Sequence, residues 1–163
     1  MTTTTVPSSK VIRDLLEDLV GRDVEVKPGP PTMPTPRWNA SVATYVSPDQ
    51  RILAIVTMDL ALSGWTSAAL ALLPPGGIQD AVKDGALREM HVEALYEVVN
   101  VLSVLFNQPG APHAKLHRLY EPGEKIMDPD VLAIANALGN REDLDVKVAG
   151  YGSGSISLVL PFG

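Results

Sequence analysis

Cysteine is absent from the 163 residues, which removes disulfides, thiolate metal sites and a cysteine nucleophile together. That absence fits a reducing compartment. Long apolar runs are also missing: residues 52–58 and 65–73 are the greasiest stretches, Asp59 separates them, and Pro74-Pro75 closes the second. Neither approaches the roughly 20 residues that span a bilayer. Residues 1–7 form a threonine run without an apolar centre and do not read as a signal peptide. Basic side chains are scarce, 13 against 19 acidic ones, for a net charge of −6 and a pI near 4.9. Phosphate backbones require a basic patch, so nucleic acid is a poor partner and a cationic protein surface a better one. These absences lead to the expectation of a soluble, cytoplasmic protein.

Several catalytic signatures are missing too. Gly-x-Ser-x-Gly does not occur, and Gly152-Ser153-Gly154 is too short for it and reads as a hairpin tip. Gly76-Gly77 lacks the lysine and hydroxyl of a phosphate loop. His113 and His117 share a face, but no third ligand completes a zinc site. They read as part-exposed histidines beside Lys115 and Arg118. His91 and Glu93, two apart on a helix, face different ways. Trp38 and Trp65 read as core or interface anchors, and Asp59 as the cap of the helix that follows it.

What remains is ordinary globular composition, with 45% hydrophobic and 20% charged residues, and a length that suits one domain. Residues 1–8 read as a flexible tail and residues 9–163 as a single domain. Val11, Leu15, Leu16, Leu19 and Val20 repeat at helical spacing behind a serine cap and stop at Gly21. Residues 23–27 read as a strand, and residues 28–36, with five prolines, as an irregular crossing. Residues 38–46 and 51–58 form a hairpin around Ser47-Pro48-Asp49-Gln50. Helices follow at 61–73 and 78–84. Beyond a long helix at 87–107 come a strand at 114–120, read as a sheet edge, and a helix opened by Asp128-Pro129 that runs to Leu138. Strands at 144–149 and 155–160 close the chain. No internal repeat appears. The order implies an α/β (α+β) fold in which long helices pack a mixed or antiparallel sheet.

The segment 87–107 sorts into two faces. Leu87, Ala94, Leu95, Val98, Leu102 and Leu105 fall on one side, and Glu89, Glu93, Glu97, Asn100 and Ser103 on the other. Glu97 and Asn100 stand one turn apart and point the same way. Eight glutamates and five asparagines in 163 residues supply about 0.25 such pairs by chance, so the pair alone reads as a solvated helix face.

Its surroundings give it more meaning. Residues 11–20 followed by Gly21-Arg-Asp-Val-Glu-Val, the hairpin ending in Arg51-Ile-Leu-Ala-Ile-Val-Thr-Met, the Ala/Leu helix, Glu93-Ala-Leu-Tyr-Glu-Val-Val-Asn100 and the closing strands resemble, in order and spacing, the CheX-like chemotaxis phosphatases of the CheC/CheX/FliY family. The resemblance runs from about residue 9 to 161, and Glu97-x-x-Asn100 is its one motif with chemical content. CheC-type members carry two such motifs, so one favours the CheX-like arrangement. Where the family usually has a small residue before the asparagine and often a glycine four positions after it, this chain has Val99 and Val104.

The resemblance implies a phosphatase of aspartyl-phosphorylated response regulators of the CheY-like kind, working as a homodimer through sheet edges. Asn100 would orient a water for in-line attack on phosphorus, and Glu97 would pair with the regulator's lysine. Glu93 and Val104 would contact the partner. The chain would hold no cofactor of its own, since Mg²⁺ sits in the regulator. The alternative is a non-catalytic interaction module of the same fold, binding a regulator or flagellar component. A small-ligand sensor is a third class, with no sequence feature in its favour.

Overall fold

The computed structural model describes residues 3–34 and 40–161. Trp38 and the beginning of the 38–46 run therefore lie outside the described residues. Helix α1, Ser9–Val20, starts where Ser8 Oγ accepts from the Val11 N–H at 3.3 Å. It stops at Gly21, whose left-handed backbone (φ 66°) lets its N–H reach the Glu17 carbonyl. The chain continues through β1 (Val24–Pro28), β2 (Ala40–Val46), β3 (Ile52–Asp59), α2 (Leu60–Leu70), α3 (Gly76–Asp84) and α4 (Glu89–Leu102). A 3₁₀ turn (Ser103–Phe106) then leads to β4 (Lys115–Tyr120), α5 (Pro129–Ala135), β5 (Arg141–Val148) and β6 (Gly152–Val159). The six strands form one sheet in the order β1-β5-β6-β3-β2-β4, and every pairing is antiparallel.

The alternation of the central hairpin divides the interior. Tyr45, Val56 and Met58 face the larger core, with Leu16 of α1, Leu62 of α2 and Leu95 of α4. Val42 and Ile55 face a smaller cluster, closed by Tyr120 and by Val131 and Ala135 of α5. Because both faces are covered, every residue of β2 is buried. Helix α2 is apolar nearly all round and is packed against the sheet, α3 and α4.

Three sequence expectations are corrected. Gly152, Ser153 and Gly154 form the start of β6 rather than a hairpin tip, the turn lying instead around Gly150 (φ 80°). The reason is steric. A Cβ on Gly152 would lie 2.6 Å from the Trp65 ring, and one on Gly154 2.6 Å from Asp59 Oδ1 and 2.7 Å from the Leu62 nitrogen. Helix α5 ends at Ala135 and not at Leu138, because Arg141 Nη1 donates to the Ala135 and Ala137 carbonyls at 3.3 and 2.6 Å. The long helix is α-helical only to Leu102 before it tightens. Ahead of α1, Thr5 and Gln108 exchange hydrogen bonds of 2.9 and 2.7 Å.

The sheet's second face is polar where β5, β6 and the end of β3 meet. The Thr32 N–H donates to Ser157 Oγ at 2.8 Å, Thr57 Oγ1 to the Thr32 carbonyl at 2.8 Å, and Ser157 Oγ to Asp143 Oδ1 at 2.5 Å. Asp59 caps α2 through the Leu62 N–H at 2.8 Å and also accepts from Ser155 Oγ at 3.1 Å. Both sheet edges are guarded against strand addition. On β1, Glu17 takes the Val24 N–H at 3.1 Å and Pro28 has no N–H to offer. On β4, Lys115, His117 and Arg118 are exposed and the pairing with β2 is bulged.

Gly154→Ala should therefore cost about 1–3 kcal/mol by overpacking α2 against β6, read as a lower urea midpoint. Burial lifts the Asp59 carboxyl above its ordinary value of 3.8, against hydrogen bonds from Leu62 and Ser155 that pull it down. The folded chain thus binds this proton more tightly than the unfolded one, and the group's contribution to stability declines as pH rises from the ordinary value through the raised one. Asp59→Asn keeps a capping oxygen, so the difference in unfolding free energy between it and the parent should vary with pH across that window and be flat above it.

Candidate functional site

Helix α4 lies with Ala94, Leu95, Val98, Val99 and Leu102 buried against α2 and the sheet. The opposite arc carries Glu89, Met90, Glu93, Tyr96, Glu97 and Asn100, all exposed. Val104, on the 3₁₀ turn, continues this arc and is 60% exposed. Glu97 and Asn100 therefore share the wet face that their spacing implies. Neither side chain has a hydrogen-bond or ion-pair partner among the described residues, and the same holds for Glu93.

Two features of this arc are costly for a free helix. Glu89, Glu93 and Glu97 form an i, i+4, i+8 row of like charge, each adjacent pair costing about 0.2–0.5 kcal/mol. Glu89 gains from the N-terminal end of the helix dipole, while Glu97 lies toward the unfavourable end and no basic residue occupies the last turn. Large apolar side chains also stand in water here, with Met90 at 53% and Tyr96 at 55% exposure. An acidic row edged by apolar groups suits a surface that is cationic and partly apolar.

Val99, the departure just before Asn100, does not obstruct this face. Its side chain is in the core, and its carbonyl accepts from the buried Tyr45 hydroxyl at 2.5 Å. Burial pushes the Tyr45 phenol well above its ordinary value, so it is a donor at any working pH. Val104, the second departure, offers apolar surface one turn beyond Asn100. Met90, Tyr96 and Tyr45 escape a sequence reading. The first two are told from core residues only by their exposure, and Tyr45 reaches α4 from another element.

The remaining candidates do not converge on this face. His113 precedes β4 and His117 lies on it, both exposed. Among the described residues no three His, Cys, Asp or Glu side chains are disposed to hold a metal ion. His91 is buried in the first turn of α4; burial and, secondarily, the charge of Arg88 lower its pKa. A groove of about 940 Å³ runs between α5 and the strands past Thr44, Ile52, His117 and Tyr120, on the side of the sheet away from α4. Trp65 is a core residue whose indole donates to the Ser153 carbonyl at 3.2 Å. No described helix is long and apolar enough to cross a membrane.

No family model and no curated protein matches the sequence. Solved structures do match in shape. The FliM–SpeE complex from H. pylori superposes with a TM-score of 0.61 at 6% identity, over 94% of this chain and 81% of that one. The FliM middle domain from Vibrio alginolyticus gives 0.57 at 11% identity, over 94% and 88%. The CheX–CheY–BeF₃–Mg²⁺ complex from Borrelia burgdorferi gives 0.54 at 14% identity, over 91% and 92%. The chain has the fold of CheX and the FliM middle domain. At such identities the likeness is one of fold, and the fold class expected from the sequence is the one observed. Within this CheX-like fold, the α4 arc combines a row of like charge with exposed apolar side chains.

Because Glu97 and Asn100 make no contact that folding needs, Glu97→Ala and Asn100→Ala should each change unfolding free energy by less than about 0.5 kcal/mol, measured by chemical denaturation.

Proposed function

We propose that this chain binds an aspartyl-phosphorylated receiver domain through the outer arc of α4 and accelerates hydrolysis of its acyl phosphate. The observation that carries the reading is the exposed, unpartnered Glu97–Asn100 pair, one helical turn apart and edged by Met90, Tyr96 and Val104. An acyl phosphate is labile, and its Mg²⁺ is held by the receiver, so the partner contributes geometry. The Asn100 carboxamide would accept a hydrogen bond from a water and hold it in line with the phosphorus. A new P–O bond forms to the water, the bond to the aspartyl oxygen breaks, and phosphate and a free carboxylate result. Asn100 is neutral throughout and takes no proton.

Glu97 would pair with a lysine of the receiver's pocket, and Glu93, one turn away, would extend the same complementary field. Val104 and Tyr96 would add apolar contact on either side of Asn100. Both polar groups come from one helix of one chain, so the chemistry does not require a second copy. The reading places the chain with its receivers in the cytoplasm. A second reading, a non-catalytic module that binds a receiver or a flagellar component, is supported by the fold shared with FliM.

Asn100→Ala should return phosphate release from a phosphorylated receiver to its spontaneous rate. Glu97→Ala should chiefly raise the half-saturation concentration and leave the maximal rate less changed. Phosphate release followed against receiver concentration checks both. A parent protein that binds the receiver without altering its spontaneous rate would establish the module instead.

A further inference from the structure

The outer arc of α4 ends where the backbone changes pitch, and the group at that change comes from the sheet. Tyr45, fully buried in β2, donates its hydroxyl to the Val99 carbonyl at 2.5 Å. In a continuing α-helix that carbonyl would receive the Ser103 N–H. The Ser103 N–H turns instead to the Asn100 carbonyl, and Ser103 Oγ donates to the same oxygen at 2.7 Å. The chain then runs as a 3₁₀ turn to Phe106, whose ring lies 5.2 Å from that of Tyr45. Asn107 Nδ2 closes the turn by donating to the Ser103 carbonyl and to the Ala114 carbonyl, each at 3.0 Å. A 3₁₀ turn winds roughly 20° further per residue than an α-helix and rises about 0.5 Å more. The place where the pitch changes therefore decides how Asn100 and Val104 sit relative to one another.

We propose that Tyr45 is a positioning residue for the α4 site: by claiming the Val99 carbonyl, its hydroxyl fixes where the helix tightens and so sets the relative placement of Asn100 and Val104. The backbone part of this stands on the hydrogen bonds alone, and its consequence for catalysis rests on the receiver-phosphatase reading. Tyr45 touches neither water nor partner. It acts through the backbone of the residue next to Asn100.

Tyr45→Phe keeps the ring and its contact with Phe106 and removes only the hydroxyl. Thr57→Val is the control. It deletes another buried hydroxyl, the one donating to the Thr32 carbonyl at 2.8 Å, on the sheet face away from α4. Two readouts are taken on the whole chain: amide hydrogen exchange, and phosphate release from a CheY receiver domain charged with acetyl phosphate in Mg²⁺. Tyr45→Phe frees the Val99 carbonyl and should change exchange of the Ser103 to Phe106 amides by about tenfold relative to the rest of the chain. It should also lower the maximal rate by about tenfold while half-saturation moves less than about twofold. Thr57→Val should do neither.

Equal exchange over Ser103 to Phe106 in the two variants would overturn the proposal. A Tyr45→Phe protein that turns over at the parental rate, while Asn100→Ala does not, would overturn the catalytic role and leave the receiver reading intact. A parent protein that leaves the receiver's rate unchanged would remove that reading, and selective exchange in Tyr45→Phe would then support the backbone device by itself.

Discussion

The surface chemistry of this protein depends on the seam between α4 and the elements beneath it. Leu95, Val98 and Leu102 are fully buried against α2 and the sheet. Burying three such side chains contributes on the order of 5–9 kcal/mol before the entropy of ordering them is subtracted. That seam fixes the rotation of the helix, and rotation is all that decides which residues meet solvent. With the apolar stripe locked inward, Glu93, Glu97 and Asn100 have nowhere to go but out. The like-charge row is carried by the helix because core packing outweighs the few tenths of a kcal/mol each pair of glutamates costs.

The sheet serves this arrangement unevenly on its two faces. Its first face is apolar and holds α1, α2 and α4. Its second is split. Helix α5 closes an apolar half through Val131 and Ala135, and residues 29–34 close a polar part through Thr32. Thr32 supplies both a backbone donor and a backbone acceptor to side chains of the sheet, so a segment without regular structure is still satisfied where it is buried. Arg141 extends the network, its Nε donating to Asp143 at 2.9 Å while Nη1 donates to the carbonyls of Ala135, the last residue of α5, and Ala137 beyond it. The pair is nearly buried, and charges in such a place hold position because every misplacement leaves one of them unpaired.

How much of this was legible depended on how local the cause was. A serine ahead of Val11, with Gly21, Asp59 and Asp128, announced helix ends, since a cap is a bond within one turn of chain. The central hairpin and the two faces of α4 followed from periodicity for the same reason. Gly152 and Gly154 were misread because a glycine in a turn and a glycine beneath a helix look alike until the helix is in place. The early end of α5 depends on Arg141, six residues past Ala135. The tightening after Asn100 coincides with a tyrosine more than fifty residues upstream. Val99 stands where the family has a small residue, and its direction, which only packing reveals, takes its bulk into the core.

By itself the amino-acid order determined that Glu97 and Asn100 would share a helix face, that this face would oppose an apolar stripe, and that no thiol chemistry or membrane-spanning run would intervene. Those are consequences of a 3.6-residue repeat and of composition, and they hold in any fold that keeps the helix. Tertiary structure decided that Met90 and Tyr96 would stand in water rather than in the core, and where the α-helix would give way to a tighter turn. Each of these is set by contacts between residues far apart in sequence, and a carbonyl claimed from across the sheet leaves no trace in the local pattern of the helix that carries it.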